Sequence, residues 1–502
     1  MRLDTLLQHL VTTDVQGDVE CEVTSVTEDS RQVRAGSLFV AVTGFQADGL
    51  RFIPDALERG AKVIVIEATA ELPSNLLAPH ATVVRVPNAR AALAAAAAAF
   101  YGHPSRDLFL VGITGTNGKT TTSYLVRALF TEHGHRCGVI GTIGYLLDQE
   151  SLPATHTTPG AVPLQGYLRR MCEKGCTCCI VEVSSHALSL ARADACAFDL
   201  AIFTNLTQDH FDFHGTFDNY FAAKRRLFVD LCPARAIINV DDPWGRLLLR
   251  ETTAPVVTYG MREPADVEAH EVNLSMGGVS FRAVLPNGSF PVRSPLLGEH
   301  NVANLLAAIA AGYSQGFRAD RMQRALRQVA GVPGRFEVVP SSEDFLVVVD
   351  YAHTDDALRN VLHAARKLTR QRLITVFGCG GDRDRTKRPR MGRVAVRLSD
   401  LVVITSDNPR SEDPHTIIEE ILVGAAAVAN KETAYRVEPD RRRAIALAIE
   451  EARPGDIVLI AGKGHETYQV LKDRTIHFDD REVAREMLAG RARGVAARPL
   501  VL

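Results

Sequence analysis

The sequence has no apolar run long enough to cross a bilayer. A helical span needs about 20 consecutive apolar residues, and the longest weakly polar run, Ala91–Phe100, is shorter and mostly alanine. Its composition reads as a helix, because alanine has the best helix propensity. The first residues carry Asp4 and show neither the apolar stretch nor the small-residue cleavage site of a secretory leader. A cytoplasmic location without membrane insertion is therefore expected. Net charge is also nearly absent: 57 basic and 59 acidic residues leave −2. That balance gives no sign of a general affinity for nucleic acid or an anionic membrane, and an anionic substrate must be held by local sites. The nine cysteines form no recognisable metal or disulfide framework. Cys176 and Cys179 fit C-x-x-C, but no second pair or nearby histidine completes a zinc site. They adjoin the apolar run CCIVEV, so reduced, buried core cysteines are expected. A guanine-reading Asn-Lys-x-Asp motif is missing too, and Gly378-Cys-Gly-Gly381 is not the G-x-G-x-x-G of a dehydrogenase. There is no internal repeat.

What is present is the composition of a globular protein: 46% apolar and 23% charged residues over 502 positions. That length exceeds one hydrophobic core and calls for roughly two to four domains. Residues 1–105 hold short strand-like runs, Ser37–Thr43 and Lys62–Ile66, then a helical stretch at Asn88–Phe100 and a linker at 101–105. From Asp107 the pattern alternates strand, turn and helix. Leu108–Thr114 is an apolar strand, and Thr120–Glu132 an amphipathic helix stopped by Gly134. Cys179–Val183, Leu200–Thr204 and Arg235–Val240 follow as strands. Gly331-Val-Pro-Gly334 marks a second break. Beyond it lie strand candidates at Phe345–Asp350, Leu373–Phe377, Leu401–Thr405 and Asp456–Ala461. The fold class expected is α/β in three domains. A small N-terminal domain covers 1–105, and a central P-loop domain with a mostly parallel sheet covers 106–333. A Rossmann-like C-terminal domain covers 334–502, with a frayed basic tail from Arg491.

The strongest motif is Gly112-Ile-Thr-Gly115-Thr-Asn-Gly118-Lys119-Thr120-Thr121, between a strand and a helix. Glycines let backbone N–H groups close around phosphate oxygens, and the helix N-terminus adds partial positive charge. Lys119 can reach the β- and γ-phosphates, and the Thr120 hydroxyl can bind Mg²⁺. The strict pattern would put glycine at 113, where Ile113 stands. The strand–turn–helix context still points to nucleotide, and ATP is the expected ligand.

The variant loop Thr114-Gly-Thr-Asn-Gly-Lys-Thr-Thr121 resembles that of the Mur ligase family, and further matches run in order along nearly the whole chain. They include Glu182-Val-Ser-Ser-His186, Thr204-Asn-Leu-Thr-Gln-Asp-His210, Phe211-Asp-Phe-His-Gly215 and Tyr220-Phe-Ala-Ala-Lys224. Gly298-Glu-His-Asn-Val-Ala-Asn304, Gly334-Arg-Phe-Glu337 and Asp350-Tyr-Ala-His353 come next, then Gly378-Cys-Gly-Gly-Asp-Arg383, Asp407-Asn-Pro-Arg410 and Gly462-Lys-Gly-His-Glu466. The resemblance is nearest to the branch that adds meso-diaminopimelate to UDP-MurNAc-L-Ala-D-Glu, a peptidoglycan precursor. It implies one domain for the UDP end, one for ATP and one for the incoming amino acid, in a protein expected to be monomeric.

The resemblance also implies roles. Gly115, Thr116, Asn117, Gly118, Lys119, Thr120, Thr121, Asn304 and Arg335 would hold ATP, with His353 nearby. Thr120, Glu182, His210 and Lys224 would bind Mg²⁺. Lys224 would be carbamylated by CO₂, converting a cation into an anionic ligand. Lys119, Lys224 and His210 would be the catalytic residues. Ser30 and Phe45-Gln46-Ala47 would contact the uridine end, and Thr157, Thr158, Ser184 and Arg192 the sugar–peptide part. The glutamine often found where Leu190 stands is missing, and Asp355 replaces a common proline. Arg383 with Asp407, Asn408, Pro409 and Arg410 would read the amino acid, and Gly462 and Glu466 would take its ammonium end. Diaminopimelate differs from lysine by a carboxylate that a guanidinium can grip bidentately.

Three rivals are weighed against this expectation. A lysine-adding relative would be expected to lack Arg410. A folylpolyglutamate synthetase would lack the N-terminal precursor domain. A P-loop regulator without ligase activity would need neither Glu182, His210 and Lys224 nor a third domain bearing Arg383 and Arg410.

Overall fold

The computed structural model describes residues 1–44, 48–71, 81–329, 331–429 and 434–496. They fall into two compact units. One contains Met1–Leu206, His210–Tyr259 and Ala307–Phe317; the other contains Thr207–Asp209, Gly260–Leu306 and the chain from Arg318 on.

The first unit holds two sheets. The N-terminal sheet comprises β1 (Asp14–Gln16), β2 (Ser25–Thr27), β3 (Ser37–Val40), β4 (Val63–Glu67) and β5 (Thr82–Val86), in the order β1-β5-β4-β3-β2. Its β2, β3, β4 and β5 run parallel. The alanine run forms the helix Ala89–Phe100, capped by the Asn88 side chain. Small side chains allow a close approach, and this helix packs on Ala161–Glu173 of the next domain.

The central sheet is built on β6 (Phe109–Thr114), β7 (Cys137–Ile140), β10 (Cys178–Glu182), β11 (Leu200–Phe203), β12 (Arg235–Asn239) and β13 (Val256–Gly260). Between β7 and β10 lie the short β8 (Tyr145–Leu147) and β9 (Glu150–Leu152), and the order is β13-β12-β11-β6-β10-β7-β8-β9. The strands from β13 to β7 are parallel. β6 is therefore flanked by β10 and β11, so the loops after these three strands emerge side by side. Ligands of open parallel sheets bind at such carboxyl ends. Cys178 and Cys179 are buried in β10, and all nine cysteines are free thiols.

The second unit contains an antiparallel meander of β14 (Val267–Ser275), β15 (Gly278–Leu285) and β16 (Gly288–Ser294). A six-stranded sheet comprises β17 (Glu337–Val339), β18 (Leu346–Asp350), β19 (Leu373–Phe377), β20 (Leu401–Ile404), β21 (Ala434–Val437) and β22 (Ile457–Ala461). The order is β17-β18-β22-β19-β20-β21, parallel except for β17. Core clusters cover both faces.

Most expected elements recur within a residue or two. The meander was not anticipated, because β14 is largely exposed and β16 alternates, so neither shows the continuous apolar run that marked the other strands. The expected frayed tail is corrected in part: Arg491 lies within the helix Asp480–Ala496. Its guanidinium donates to the carbonyls of Ile449, Glu450 and Ala452, which fastens that turn to the preceding helix. No helix among the described residues is long and apolar enough to cross a membrane.

Candidate active site

The phosphate loop follows β6. Ile113, where the strict motif needs glycine, is still inside the strand, paired with Glu182 on one side and Ile202 on the other. The glycine function has moved to Gly115, at φ +151°, where a Cβ would lie 1.8 Å from Thr204 Oγ1. Gly118 takes a left-handed conformation and starts the helix Lys119–Glu132. Asn205, after β11, holds the loop: its side-chain carbonyl accepts from Asn117 N–H at 2.9 Å, and its amide donates to the Asn117 carbonyl at 3.1 Å. Lys119 folds back onto the Gly115 and Thr116 carbonyls, both at 2.8 Å. Thr121 is buried in the first turn of the helix.

Glu182 ends β10 and is fully buried. Its carboxylate accepts from Thr120 Oγ1 at 2.9 Å, Thr142 Oγ1 at 2.9 Å and Thr142 N–H at 3.1 Å. Thr142 in turn meets Thr157 at 3.1 Å, and Thr158 donates to the Glu182 carbonyl at 2.7 Å. Ser184 caps the short helix that follows, and Arg192 donates to the Thr158 carbonyl at 3.1 Å. The residues expected for the sugar–peptide part thus connect directly to the carboxylate that meets the phosphate loop. Thr142 was not anticipated from the sequence; it lies in a loop after β7, outside any of the quoted motifs.

Lys224, in the helix Phe217–Val229, is 1% exposed. Its Nζ donates to the Gly115 carbonyl at 2.9 Å and sits 4.6 Å from the centre of the Tyr220 ring. The Tyr220 hydroxyl meets Thr116 Oγ1 at 3.1 Å. His210 is exposed, at φ +54°, with its ring 4.8 Å from His186 and 6.2 Å from Tyr220. His186 and His214 complete an aromatic cluster, and His214 Nε2 pairs with Ser185 Oγ at 2.9 Å.

No three His, Cys, Asp or Glu side chains among the described residues converge as a ready metal site. The set Thr120, Glu182, His210 and Lys224 differs, since it depends on a hydroxyl and on a modified lysine. Hydroxyl, carboxylate and carbamate oxygens are the hard donors that suit Mg²⁺. The Thr120–Glu182 contact supplies two of them side by side, so these two residues fit the ion.

A pocket lined by Glu28, Arg90, Leu93, Ala161, Leu190 and Arg192 lies between the N-terminal and central sheets of the first unit. Leu190, set aside because glutamine is common there, does line it. Ser30 is buried in the turn Ser30–Gln32, where the Asp29 side chain accepts the Arg31 N–H. Phe45, Gln46 and Ala47 lie outside the described residues.

In the second unit, the loops after β20 and β22 cross. Asp407, Asn408 and Pro409 are buried, and Gly462, at φ +116°, packs against Asp407: a Cβ there would lie 2.8 Å from Oδ2. Asn408 Nδ2 donates to Glu466 at 2.8 Å. Arg410, at φ +52°, donates to the Gly381 carbonyl at 2.7 Å. A Cβ at Gly380 would lie 2.9 Å from Arg410 Nη1 and 3.8 Å from Arg383 Cγ, so the two arginines border one glycine. Behind them, buried Arg388 bridges Glu412 and Glu420, and Glu412 accepts the Asp382 N–H at 2.6 Å. The structure therefore brings Arg383, Asp407, Asn408, Pro409, Arg410, Gly462 and Glu466 into one cluster.

Asn304 Nδ2 donates to Asn301 at 2.9 Å, and the Arg335 guanidinium stacks 4.8 Å from the Tyr351 ring. His353 Nδ1 pairs with the Tyr351 carbonyl at 2.9 Å. Asp355 opens the helix Asp355–Leu368, capped by Thr354. The first helical turn suits proline or an acidic residue equally, so this departure leaves the helix start intact.

Comparison with known proteins agrees along the chain. Residues 22–101 match the Mur ligase family catalytic domain, 113–312 the Mur ligase middle domain and 334–464 the Mur ligase glutamate ligase domain. UDP-N-acetylmuramoyl-L-alanyl-D-glutamate–2,6-diaminopimelate ligase of Solibacter usitatus is 49% identical, covering 94% of each chain. The enzyme of the same name from Syntrophomonas wolfei is 43% identical over 98% of this chain and all of its own. A solved structure of a ligase so named superposes with a TM-score of 0.71 at 33% identity, covering 98% of this chain and 99% of that one. The fold of folylpolyglutamate synthase from Mycobacterium tuberculosis is shared with a TM-score of 0.61 at 19% identity, covering 81% and 95%. With relatives this similar over nearly its whole length, the chain belongs to the Mur ligase family.

Proposed function

We propose that this chain is the ATP-dependent ligase that joins meso-diaminopimelate to the D-Glu of UDP-MurNAc-L-Ala-D-Glu. A carboxylate resists amines because oxide is a poor leaving group. An oxygen of the D-Glu carboxylate attacks the γ-phosphorus of ATP, the bond to the β-phosphate oxygen breaks, and ADP leaves. The amine of diaminopimelate then attacks the acyl carbon. The tetrahedral adduct expels phosphate with the C–O electron pair, and the nitrogen gives up a proton. Such phosphoryl transfer rests on positioning and charge neutralisation.

Within this reading, residues 1–105 receive the UDP end, 106–333 hold ATP and the D-Glu carboxylate that becomes the acyl phosphate, and 334–502 present the amino acid. Gly115 to Thr121 cradle the phosphates, with Asn304 and Arg335 on the rest of ATP. Thr157, Thr158, Ser184 and Arg192 hold the precursor. Mg²⁺ bound by Thr120, Glu182, His210 and a Lys224 carbamate would neutralise phosphate charge. Arg383 and Arg410, with Asp407, Asn408 and Pro409 beside them, grip the distal carboxylate, and Gly462 and Glu466 take the ammonium end. The enzyme acts as a cytoplasmic monomer.

The observation that best supports the amino-acid assignment is the pairing of two guanidinium-bearing residues across Gly380, beside a carboxylate pair. Lysine has no second carboxylate for these guanidinium groups to grip and would be held less tightly there. The test offers the protein UDP-MurNAc-L-Ala-D-Glu, ATP and Mg²⁺ with meso-diaminopimelate or L-lysine in parallel. Phosphate release that requires the precursor and strongly prefers diaminopimelate is expected. Equal use of both amino acids overturns the specificity, and release independent of either substrate overturns the ligase.

A further inference from the structure

Lys463 stands between the motif residues of the amino-acid cluster, and no role has been given to it above. Its side chain is 0% exposed. A lysine this deep is held only by partners that replace its hydration. The partners are Asn408 Oδ1 at 2.9 Å, Glu466 Oε2 at 3.1 Å and Asp407 Oδ1 at 3.7 Å, with the Tyr468 ring 5.7 Å away. Glu466 is assigned to the ammonium end of the amino acid, and Asp407 and Asn408 stand in the same recognition cluster.

The arrangement fixes geometry as well as charge. Asn408 Oδ1 accepts from Lys463 and from Val470 N–H at 3.0 Å, which forces Nδ2 toward Glu466. Glu466 thereby takes donors from both Lys463 and Asn408. Asp407 and Glu466 contribute two negative charges, and Lys463 returns one positive charge. The remainder is a single negative charge, matched to one ammonium. Without the lysine, the same pocket would hold two nearly buried carboxylates against one incoming cation.

We propose that Lys463 is a positioning residue that sets the charge of the ammonium subsite to minus one and fixes the orientation of Asn408 and Glu466. The inference rests on the amino-acid assignment made under the proposed function. It also separates two tasks: the Lys463 group reads the non-reacting ammonium that diaminopimelate and lysine share, while Arg383 and Arg410 read the carboxylate that differs.

Steady-state kinetics on Lys463→Met, Glu466→Gln and the double variant test this. Lys463→Met should raise KM for diaminopimelate at least tenfold, with KM for ATP and for the precursor unchanged. Residual use of L-lysine should fall by the same factor, so the preference between the two amino acids is retained. The double variant restores one net negative charge and should have a lower amino-acid KM than Glu466→Gln alone. If Lys463→Met does not fold, the comparison of the double variant with Glu466→Gln decides by itself. An unchanged amino-acid KM in Lys463→Met, or a double variant no better than Glu466→Gln, overturns the proposal. An unaltered protein that uses neither amino acid overturns the parent assignment instead.

Discussion

The ammonium groups of Lys224 and Lys119 both donate to the carbonyl of Gly115, at 2.9 and 2.8 Å. Two like charges are thereby held within two hydrogen-bond lengths of each other, one of them on a fully buried side chain. Like charges at such range repel, most strongly away from water. Converting Lys224 to a carbamate would replace that repulsion with attraction and give Lys119 an anionic neighbour.

Lys224 should therefore carry CO₂ when bicarbonate is present, read as an added carboxyl group by native mass spectrometry. Lys224→Ala should lower kcat by about a hundredfold or more, with partial recovery on adding a small carboxylic acid. A bare lysine under saturating bicarbonate contradicts the carbamate.

Glu182 gathers Thr120 and Thr142, and both contacts should matter to ATP turnover. Glu182→Gln is expected to lower kcat by about a hundredfold or more, and raising Mg²⁺ should offset part of the loss. Thr142→Val deletes one donor to a buried carboxylate, which costs about 1–3 kcal/mol. Denaturant titration and kinetics on the two variants check both effects.

Arg410→Ala should raise KM for diaminopimelate by about a hundredfold while KM for ATP stays constant, and preference over L-lysine should collapse. Parallel losses in both KM values would indicate misfolding.

Arg441 and Asp480 form a fully buried ion pair at 2.7 Å. Arg441 also donates to the Ala461 carbonyl at 3.0 Å and the Ser406 carbonyl at 3.4 Å, just before Gly462 and Asp407. Arg441→Met leaves an uncompensated buried carboxylate and should cost about 3–5 kcal/mol of stability. Arg441→Met/Asp480→Leu should recover most of it. Chemical unfolding of the two variants supplies the comparison.

The Arg388 guanidinium holds the Glu412 carboxyl down to about 2 from its ordinary 4.5. A carboxyl with a depressed value in the folded state adds stability above the unfolded value, and that stability is lost as pH falls through the folded one. Acid should therefore erode stability between pH 4.5 and about 2. Glu412→Gln should flatten that part of the profile, measured by denaturant titration at successive pH values.

Much of this was readable along the chain, because it is encoded locally. Alternating apolar runs and helix signals located the parallel strands and the phosphate loop, and ordered motifs located nearly every member of the amino-acid cluster. The meander escaped because its strands are too exposed to show a continuous apolar run, Thr142 because it lies outside every quoted motif, and Lys463 because the motif that contains it does not reveal its buried partners.

The amino-acid order alone determined which segments become strands and helices, and which residue types stand ready for phosphate, metal and carboxylate. The elements follow from side-chain periodicity and backbone preference, which act over a few residues; the site residues are what the resemblance to the Mur ligase family implies. The folded chain alone decided that Lys224 meets Gly115 across 109 positions, that Thr142 meets Glu182 across 40, and that Lys463 meets Asn408 across 55. Sheet order sets such pairs by bringing the ends of distant strands together, and only there do burial and charge act on them jointly.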